Sequence, residues 1–286
     1  ARFARCRWWL PIGNYLGYRL CGRLHTDPTL AWRTMAYDIS QSCWSEDLLA
    51  MAALNPSLMV EILPCGAPLG QIRREIAQAT GLPPDCMVVN GAMDAVCGML
   101  AVGSIRPGVG LDIIGTSEVI LTTLERMTLP PEGLAHSLDV GPHALPGHYL
   151  AFGSMTAAGV ITEWFANLVT VGASEEVARR ILIELTSEAA AYQESALPVL
   201  VLPHFRGSRT PHSNYASRGA IIGLTANTTR GEIFLAILRA LCFEARQIVE
   251  CLEVDLHASL HEIWVAGGAA ENALWMSLKA DALGHD

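Results

Sequence analysis

The stretch Met87-Val88-Val89-Asn90-Gly91-Ala92-Met93-Asp94-Ala95-Val96 runs from an apolar triplet through a glycine break into a helical pattern that continues to Val102. The triplet suits a short buried strand. Asp94 then falls where a strand gives way to a helix, the usual place for ligand groups in an open α/β sheet. A carboxylate is a residue type that can accept the proton of a reacting hydroxyl. An aspartate before a helical run is also a common N-cap, so position alone leaves both readings open.

Upstream, Gly70 to Thr80 reads as a short amphipathic helix ended by Gly81, with Pro83-Pro84 leading into the strand. Residues 8–60 read as helices joined by polar turns, with cap-type residues at Asp38-Ile39-Ser40-Gln41 and Ser45-Glu46-Asp47. Downstream, Gly103 to Gly110 holds three glycines and a proline, and the pattern turns there from helices to alternating strands. This places a domain boundary near Pro107. Leu111–Ile114 and Val119–Thr123 are β-prone runs joined by Gly115-Thr116-Ser117-Glu118, which is hairpin chemistry.

Further on, Thr156-Ala157-Ala158-Gly159 precedes a helical pattern of Ile161, Trp164, Phe165 and Leu168. Ser174 is expected to cap a surface helix carrying Val177, Ile181 and Leu185 on one face. Leu197–Leu202 suits a buried strand, and Pro203–Gly219 has no periodicity. Thr229 with Glu232 predicts a capping box and a long helix turning Ile233, Ile237, Leu241, Ala245, Ile248 and Leu252 inward. Glu262–Ala266, Gly267-Gly268 and Glu271–Leu283 read as strand, turn and helix.

Composition bounds the function. A chain of 286 residues that is 51% hydrophobic has ample material for about two domains, which excludes disorder. The net charge of −9 disfavours nonspecific nucleic-acid binding. It leaves anionic ligands open, because backbone N–H groups, helix N-termini and Mg²⁺ can hold phosphate without a lysine field. Every apolar stretch is broken before the ~18 residues of a membrane span accumulate. The basic start ahead of Trp8-Trp9-Leu10 meets Pro11 too early for a signal peptide, so a soluble, cytoplasmic protein is expected. The eight scattered cysteines contain no C-x-x-C pair and read as reduced, mostly buried thiols.

Taken singly, the remaining candidates are weak. Gly115-Thr116-Ser117 fits an ordinary hairpin turn, and Gly267-Gly268 fits tight helix–sheet packing. There is no G-x-x-x-x-G-K-[ST] or G-x-G-x-x-G motif, so a bound ATP would be held another way. The histidines, His204 and His212 among them, lack paired metal spacing. Arg206 and Arg209 flank Gly207-Ser208 within reach of a phosphate, though a solvated loop is the simpler account.

In order, the pieces resemble the FGGY family of carbohydrate kinases, which includes xylulokinase-, fuculokinase- and glycerol-kinase-like enzymes. Tyr15-Leu16-Gly17-Tyr18-Arg19-Leu20-Cys21-Gly22, Asp27 through Ala31, Arg33-Thr34, Asp38 and Trp44 are similar to the stretch before the family's catalytic aspartate, and Gly91-Ala92-Met93-Asp94-Ala95 to the aspartate motif. Gly115-Thr116-Ser117 resembles the second phosphate hairpin, and Thr156-Ala157-Ala158-Gly159 the ATP-contacting helix start. Arg218-Gly219-Ala220-Ile221-Ile222-Gly223-Leu224 resembles the C-terminal signature, and Ala266-Gly267-Gly268-Ala269-Ala270-Glu271-Asn272 the adenosine pocket.

The resemblance implies an α/β protein with the actin-like, ribonuclease-H-like fold and an ATP and sugar cleft between two domains. Residues 1–107 would be the later part of the sugar-binding domain, and 108–286 most of the ATP-binding domain. Asp94 would be the general base toward the sugar hydroxyl and help place Mg²⁺. Gly115 and Thr116 would hold the γ-phosphate. Gly159, Gly267, Gly268 and Asn272 would contact the nucleotide, Gly159 and Gly268 being glycine because a side chain would fill the ligand's volume. Three departures stand out. No Asp-x-Gly-Thr hairpin precedes Trp8, the chain stops at Asp286 soon after the last helix, and Arg239-Ala240 replaces an acidic residue and glycine. The expectation is a fragment of a longer kinase acting on a ketose, deoxysugar or polyol, with a homo-oligomer left open. The alternatives are a nucleotide-binding protein of the same superfamily without kinase activity, and an inactive truncated kinase.

Overall fold

A computed structural model describes residues 5–127, 136–170, 175–192 and 199–284. The chain divides into two units, Ala1–Ala101 with Glu125–Met127 and Gly141–Leu150, and Val102–Leu124 with Thr128–Val140 and Ala151–Asp286.

In the first unit, α1 (Ile12–Cys21) stops at Gly22 in the left-handed region, a conformation glycine adopts without steric cost. The short helix α2 (Pro28–Trp32) begins under an Asp27 cap with proline in its first turn. A two-stranded ribbon, β1 (Tyr37–Asp38) with β2 (Cys43–Trp44), precedes α3 (Glu46–Met51), which Ser45 caps through the Leu48 N–H. β3 (Pro68–Gln71), α4 (Arg74–Thr80), β4 (Met87–Val89) and α5 (Asp94–Ala101) complete the unit.

Four expectations need correcting here. Met87–Val89 pairs with β3 in an antiparallel two-stranded ribbon, not in a buried sheet, and Met87 and Val89 are about half exposed. Three apolar residues specify a strand but not what covers it. The amphipathic helix begins at Arg74, since Gly70 belongs to β3. Asp38 caps a turn of the β1–β2 ribbon, accepting from Ser40 and Gln41, and no helix starts there. None of the eight cysteines is in a disulfide, but Cys242 alone is buried and Cys6, Cys43 and Cys97 are exposed.

The second unit is built on a five-stranded mixed sheet of order β11-β5-β6-β8-β7: β5 (Val109–Ile114), β6 (Glu118–Leu124), β7 (Asp139–Pro142), β8 (Tyr149–Met155) and β11 (Glu262–Ala266). β5 and β6 form the antiparallel hairpin expected from Gly115-Thr116-Ser117, and β11 runs parallel to β5. The helices are α6 (Gly159–Val169), α7 (Glu175–Ala190), α8 (Arg230–Leu256) and α9 (Ala273–Leu283). α8 starts at the Thr229–Glu232 capping box and buries Ile237, Leu241, Ala245, Ile248 and Leu252 on its inward stripe. Full burial of a leucine or isoleucine is worth about 1.5–3 kcal/mol, so this helix anchors the unit.

The ribbon of β9 (Leu200–Leu202) and β10 (Ala220–Ile222) is exposed at Leu200, Leu202 and Ile222, so this strand too is not the buried one expected. The Ser174 cap lies outside the described residues. No helix among the described residues is long and apolar enough to cross a membrane.

Candidate active-site residues

Asp94 is the first residue of α5 and is exposed. Its Oδ1 accepts the adjacent Ala95 N–H at 2.8 Å, while Oδ2 has no hydrogen bond among the described residues. An N-cap side chain accepts from the second or third N–H of its helix, so Asp94 is not performing that role. The loop ahead of it is tied down from three directions. Asn90 donates to the carbonyls of Leu63 and Pro64 at 2.9 and 3.1 Å. The Asn90 N–H meets the Ala67 carbonyl at 2.8 Å, and the Met93 N–H reaches the Thr29 hydroxyl at 2.7 Å.

Thr29 is itself fully buried and donates to Asp27. Asp27 also caps α2 through the Leu30 N–H at 3.0 Å and accepts from Asn14 at 3.4 Å, and Thr26 donates to Asn14 at 2.9 Å. This buried polar network fixes the backbone immediately before Asp94, since unpaired groups at those depths would cost about 1–3 kcal/mol each. The sequence offered Asp27 through Ala31 as part of a resemblance; that Thr29 reaches Met93, 64 residues away, is a tertiary fact.

In the second unit, three glycine-bearing turns converge. The exposed tip Gly115–Ser117 joins β5 to β6. Its carbonyls cap α6: the Gly159 N–H donates to the Gly115 carbonyl at 3.0 Å, and those of Ala158 and Val160 to the Thr116 carbonyl at 2.9 and 3.4 Å. The first N–H groups of α6 are therefore occupied by protein. The Gly115 N–H is also used, donating to the Ser117 carbonyl at 2.9 Å. What the tip presents is the N–H groups and hydroxyls of Thr116 and Ser117, none of which is hydrogen-bonded among the described residues.

The glycines sort by what a side chain would meet. A Cβ at Gly159 would lie 2.5 Å from the Gly115 carbonyl oxygen. One at Gly267, where φ is +104°, would lie 2.2 Å from the Ile114 carbonyl oxygen. Both positions have hairpin backbone where a side chain would go, which corrects the expectation that a ligand's volume dictates Gly159 and matches the packing reading of Gly267. At Gly268 a Cβ would meet nothing within 4 Å, so this exposed glycine alone of the three borders open space. Asn272 is committed internally: Oδ1 caps α9 through the Trp275 N–H at 3.1 Å, and Nδ2 donates to Thr186 at 3.1 Å.

Behind the hairpin lies a cluster that pattern reading missed. Lys279 of α9 donates to Asp112 of β5 at 2.5 Å and to Glu118 of β6 at 2.6 Å, with all three side chains buried. Burial pushes the carboxyls up; Glu118, beside Asp112, reaches about 8. Burial acts to lower Lys279, but Glu118 and Asp112 together outweigh it and hold the ammonium above its ordinary value.

Arg209 pairs with Asp139, donates to Ser154 at 3.3 Å and covers the Phe152 ring, so it is a structural residue of the second unit. His204 bridges Ser217 at 2.8 Å and Glu244 at 3.1 Å. Among the described residues, His136, Cys251 and Asp255 place their ligand atoms within 4.8 Å of one another. His136 Nδ1 already bonds Asp255 Oδ2 at 2.5 Å, and burial, with Asp255 and Glu250 adding, pushes the Cys251 thiol up to about 11. At neutral pH that group offers a thiol and a closed hydrogen bond, not a thiolate ready for a metal.

Comparison with known proteins agrees with this arrangement. The N-terminal domain of the FGGY family of carbohydrate kinases matches residues 1–101, and its C-terminal domain matches residues 111–286. A xylulose kinase of Staphylococcus xylosus is 26% identical across 94% of this chain, and a glycerol kinase of Bordetella parapertussis is 27% identical across 96%. These alignments take in 53% and 52% of the relatives, so the chain spans about half the length of the curated proteins it matches. Among solved structures, a xylulose kinase from Rhodospirillum rubrum superposes with a TM-score of 0.85 at 28% identity, covering 99% of this chain and 55% of that one. A Plasmodium falciparum glycerol kinase with ADP gives 0.83 at 22% identity, covering 96% and 53%, a likeness of fold.

Proposed function

The chain belongs to the FGGY family of carbohydrate kinases, and on that premise we propose that the full-length protein transfers the γ-phosphate of ATP to a hydroxyl of a ketose, deoxysugar or polyol. The observations that carry this reading lie one in each unit: an exposed, loop-anchored Asp94 in the first, and in the second a hairpin tip whose Thr116 and Ser117 donors are unbonded among the described residues. Residues 1–107 and 108–286 serve as parts of the sugar-binding and ATP-binding domains, in a cytoplasmic enzyme.

Phosphoryl transfer passes through a loose transition state, so the protein's work is alignment and charge stabilisation. The Asp94 carboxylate accepts the proton of the sugar hydroxyl as that oxygen begins to bond phosphorus. Its network from Asn90, Thr29 and Asp27 limits where the carboxylate can be. Thr116 and Ser117 hold phosphate oxygens through N–H groups and hydroxyls, and Gly115 contributes its tight turn, its own N–H being spent. Gly268 leaves room for the nucleotide, while Gly159 and Gly267 let α6 and the β11 turn close on the hairpin. Asn272 supports that turn by capping α9, and its remaining amide N–H is what it offers a base. Asp94 Oδ2, an exposed hard oxygen without a partner, suits Mg²⁺, which when bound neutralises developing phosphate charge.

The test is ADP release by the full-length protein across pentuloses, hexuloses, deoxysugars and polyols, with and without Asp94→Asn. A positioned base contributes about 10²- to 10⁴-fold, and a loss in that range is expected. A loss below about tenfold removes Asp94 from this role. ATP binding with no turnover on any acceptor would identify a nucleotide-binding protein without kinase activity.

A further inference from the structure

The hairpin carrying Gly115–Ser117 is bracketed by ionisable side chains that the phosphate reading does not use. Asp112 lies three residues before the tip on β5, and Glu118 is the residue immediately after it on β6. Their register, Ile114 opposite Glu118 and Asp112 opposite Ile120, puts both on one face of the hairpin, where Lys279 donates to each. Relative exposure is 0% for both carboxyls and 2% for Lys279, so no bulk water screens them. Two carboxylates against one ammonium would leave a net negative charge in that space, which burial strongly opposes.

The oxygens Lys279 does not reach, Asp112 Oδ1 and Glu118 Oε2, are buried with no donor among the described residues, and the two carboxyls, held on the one Lys279 ammonium at 2.5 and 2.6 Å, are neighbours that a shared proton would join by a hydrogen bond. Two carboxylates cannot make that bond; a carboxylate and a carboxylic acid can. One retained proton therefore satisfies both the geometry and the charge. The groups facing the cluster are Asp112 of β5, Glu118 of β6, Lys279 of α9 and the Cys242 thiol of α8, which burial pushes up to about 12 and so keeps uncharged.

We propose that Glu118 is a positioning residue of the phosphate hairpin: with Asp112 and Lys279 it keeps one proton in a charge-neutral, solvent-shielded cluster that fixes the tip, and release of that proton weakens the hold on nucleotide phosphates. The proposal rests on the kinase reading above. Ionisation would set a net negative charge one residue from Ser117 and two from Thr116, the phosphate donors, which at the effective dielectric of such sites corresponds to about fivefold or more in affinity. That burial lifts the Glu118 carboxyl to about 8 brings the change within reach of ordinary buffers.

The test is calorimetric titration of the full-length protein with MgATP at about pH 7 and about pH 9. The wild type should bind about fivefold or more weakly at the higher pH. Glu118→Gln, which imitates the protonated acid, should match the wild type at the lower pH and lose most of the pH dependence. Asp112→Asn, which leaves a neutral Glu118–Lys279 pair at both pH values, should flatten the profile too and serves if Glu118→Gln fails to fold. An unchanged wild-type affinity, or the same weakening in the variants, overturns the proposal. A folded wild type that binds no ATP at either pH overturns the kinase reading instead. Hydrogen exchange at the bonded N–H groups of Gly115, Ala158 and Gly159, which tie the tip down, then decides the positioning claim, which requires protection lost at the higher pH in the wild type and kept in Glu118→Gln.

Discussion

Gly159→Ala separates a packing glycine from a ligand glycine. The added Cβ would stand 2.5 Å from the Gly115 carbonyl oxygen, whereas a carbon–oxygen contact settles near 3.3 Å, so α6 and the tip must part by about 0.8 Å. That motion breaks the 3.0 Å bond from the Gly159 N–H, a loss of about 1 kcal/mol, and strains a packed junction by about 1–3 kcal/mol more. Alanine's better helix propensity returns up to about 1 kcal/mol, leaving a net destabilisation of roughly 1–3 kcal/mol. At about 2–4 °C per kcal/mol for a unit of this size, thermal unfolding of the second unit should fall by about 2–12 °C. Gly268→Ala is the matched control, because its Cβ meets nothing within 4 Å and stability should stay within about 0.5 kcal/mol. The paired assay is differential scanning fluorimetry with MgATP titration. Gly159→Ala should lower the melting temperature of the free protein; Gly268→Ala should leave it and weaken ATP binding. Equal melting temperatures for wild type and Gly159→Ala, or a destabilised Gly268→Ala, would refute the assignment of which glycine faces protein.

Two further outcomes follow from the second unit. Folding raises the Glu118 carboxyl to about 8, so the native state keeps a proton that the unfolded chain gives up near its ordinary value. Its contribution to stability is complete below about pH 4 and falls until about pH 8, after which it is spent. Urea midpoints measured between those limits should decline more steeply for the wild type than for Glu118→Gln; parallel slopes would count against it. Asn272→Ala removes the α9 cap and the Thr186 bond together, and a loss of about 1–2 kcal/mol is expected in chemical denaturation. If that variant kept full stability yet lost ATP affinity, Asn272 would be a ligand residue and not the anchor its hydrogen bonds describe.

Much of this architecture is written locally. Thr229 and Glu232 sit three apart and satisfy each other's backbone N–H groups wherever the helix goes, so α8 can be read from its first turn. Gly115-Thr116-Ser117 between two β-prone runs permits little but a hairpin, and Glu262–Ala266 before Gly267-Gly268 is a strand that must turn. Interactions within a few residues depend on spacing alone, and spacing is visible in the chain. Met87–Val89 and Leu200–Leu202 show the limit: their apolar character announces strands, but burial depends on partners, and each lies in a two-stranded ribbon with exposed apolar side chains.

The candidate site divides the same way. The strand-to-helix break marks Asp94 as a candidate beside its N-cap reading, whereas Thr116, in a turn that fits any hairpin, is singled out only by the family resemblance. Lys279 reads as one more charge on an amphipathic helix until folding carries it 167 residues back to Asp112 and 161 to Glu118. Thr29 looks like a first-turn threonine until its hydroxyl receives the Met93 N–H. By itself the sequence determined the helices, the hairpin and the order of motifs, because local torsions and capping choose among few alternatives. Only the tertiary structure decided which glycine meets backbone and which borders open space, and which buried charges meet, because those depend on distances between segments that composition and spacing do not encode.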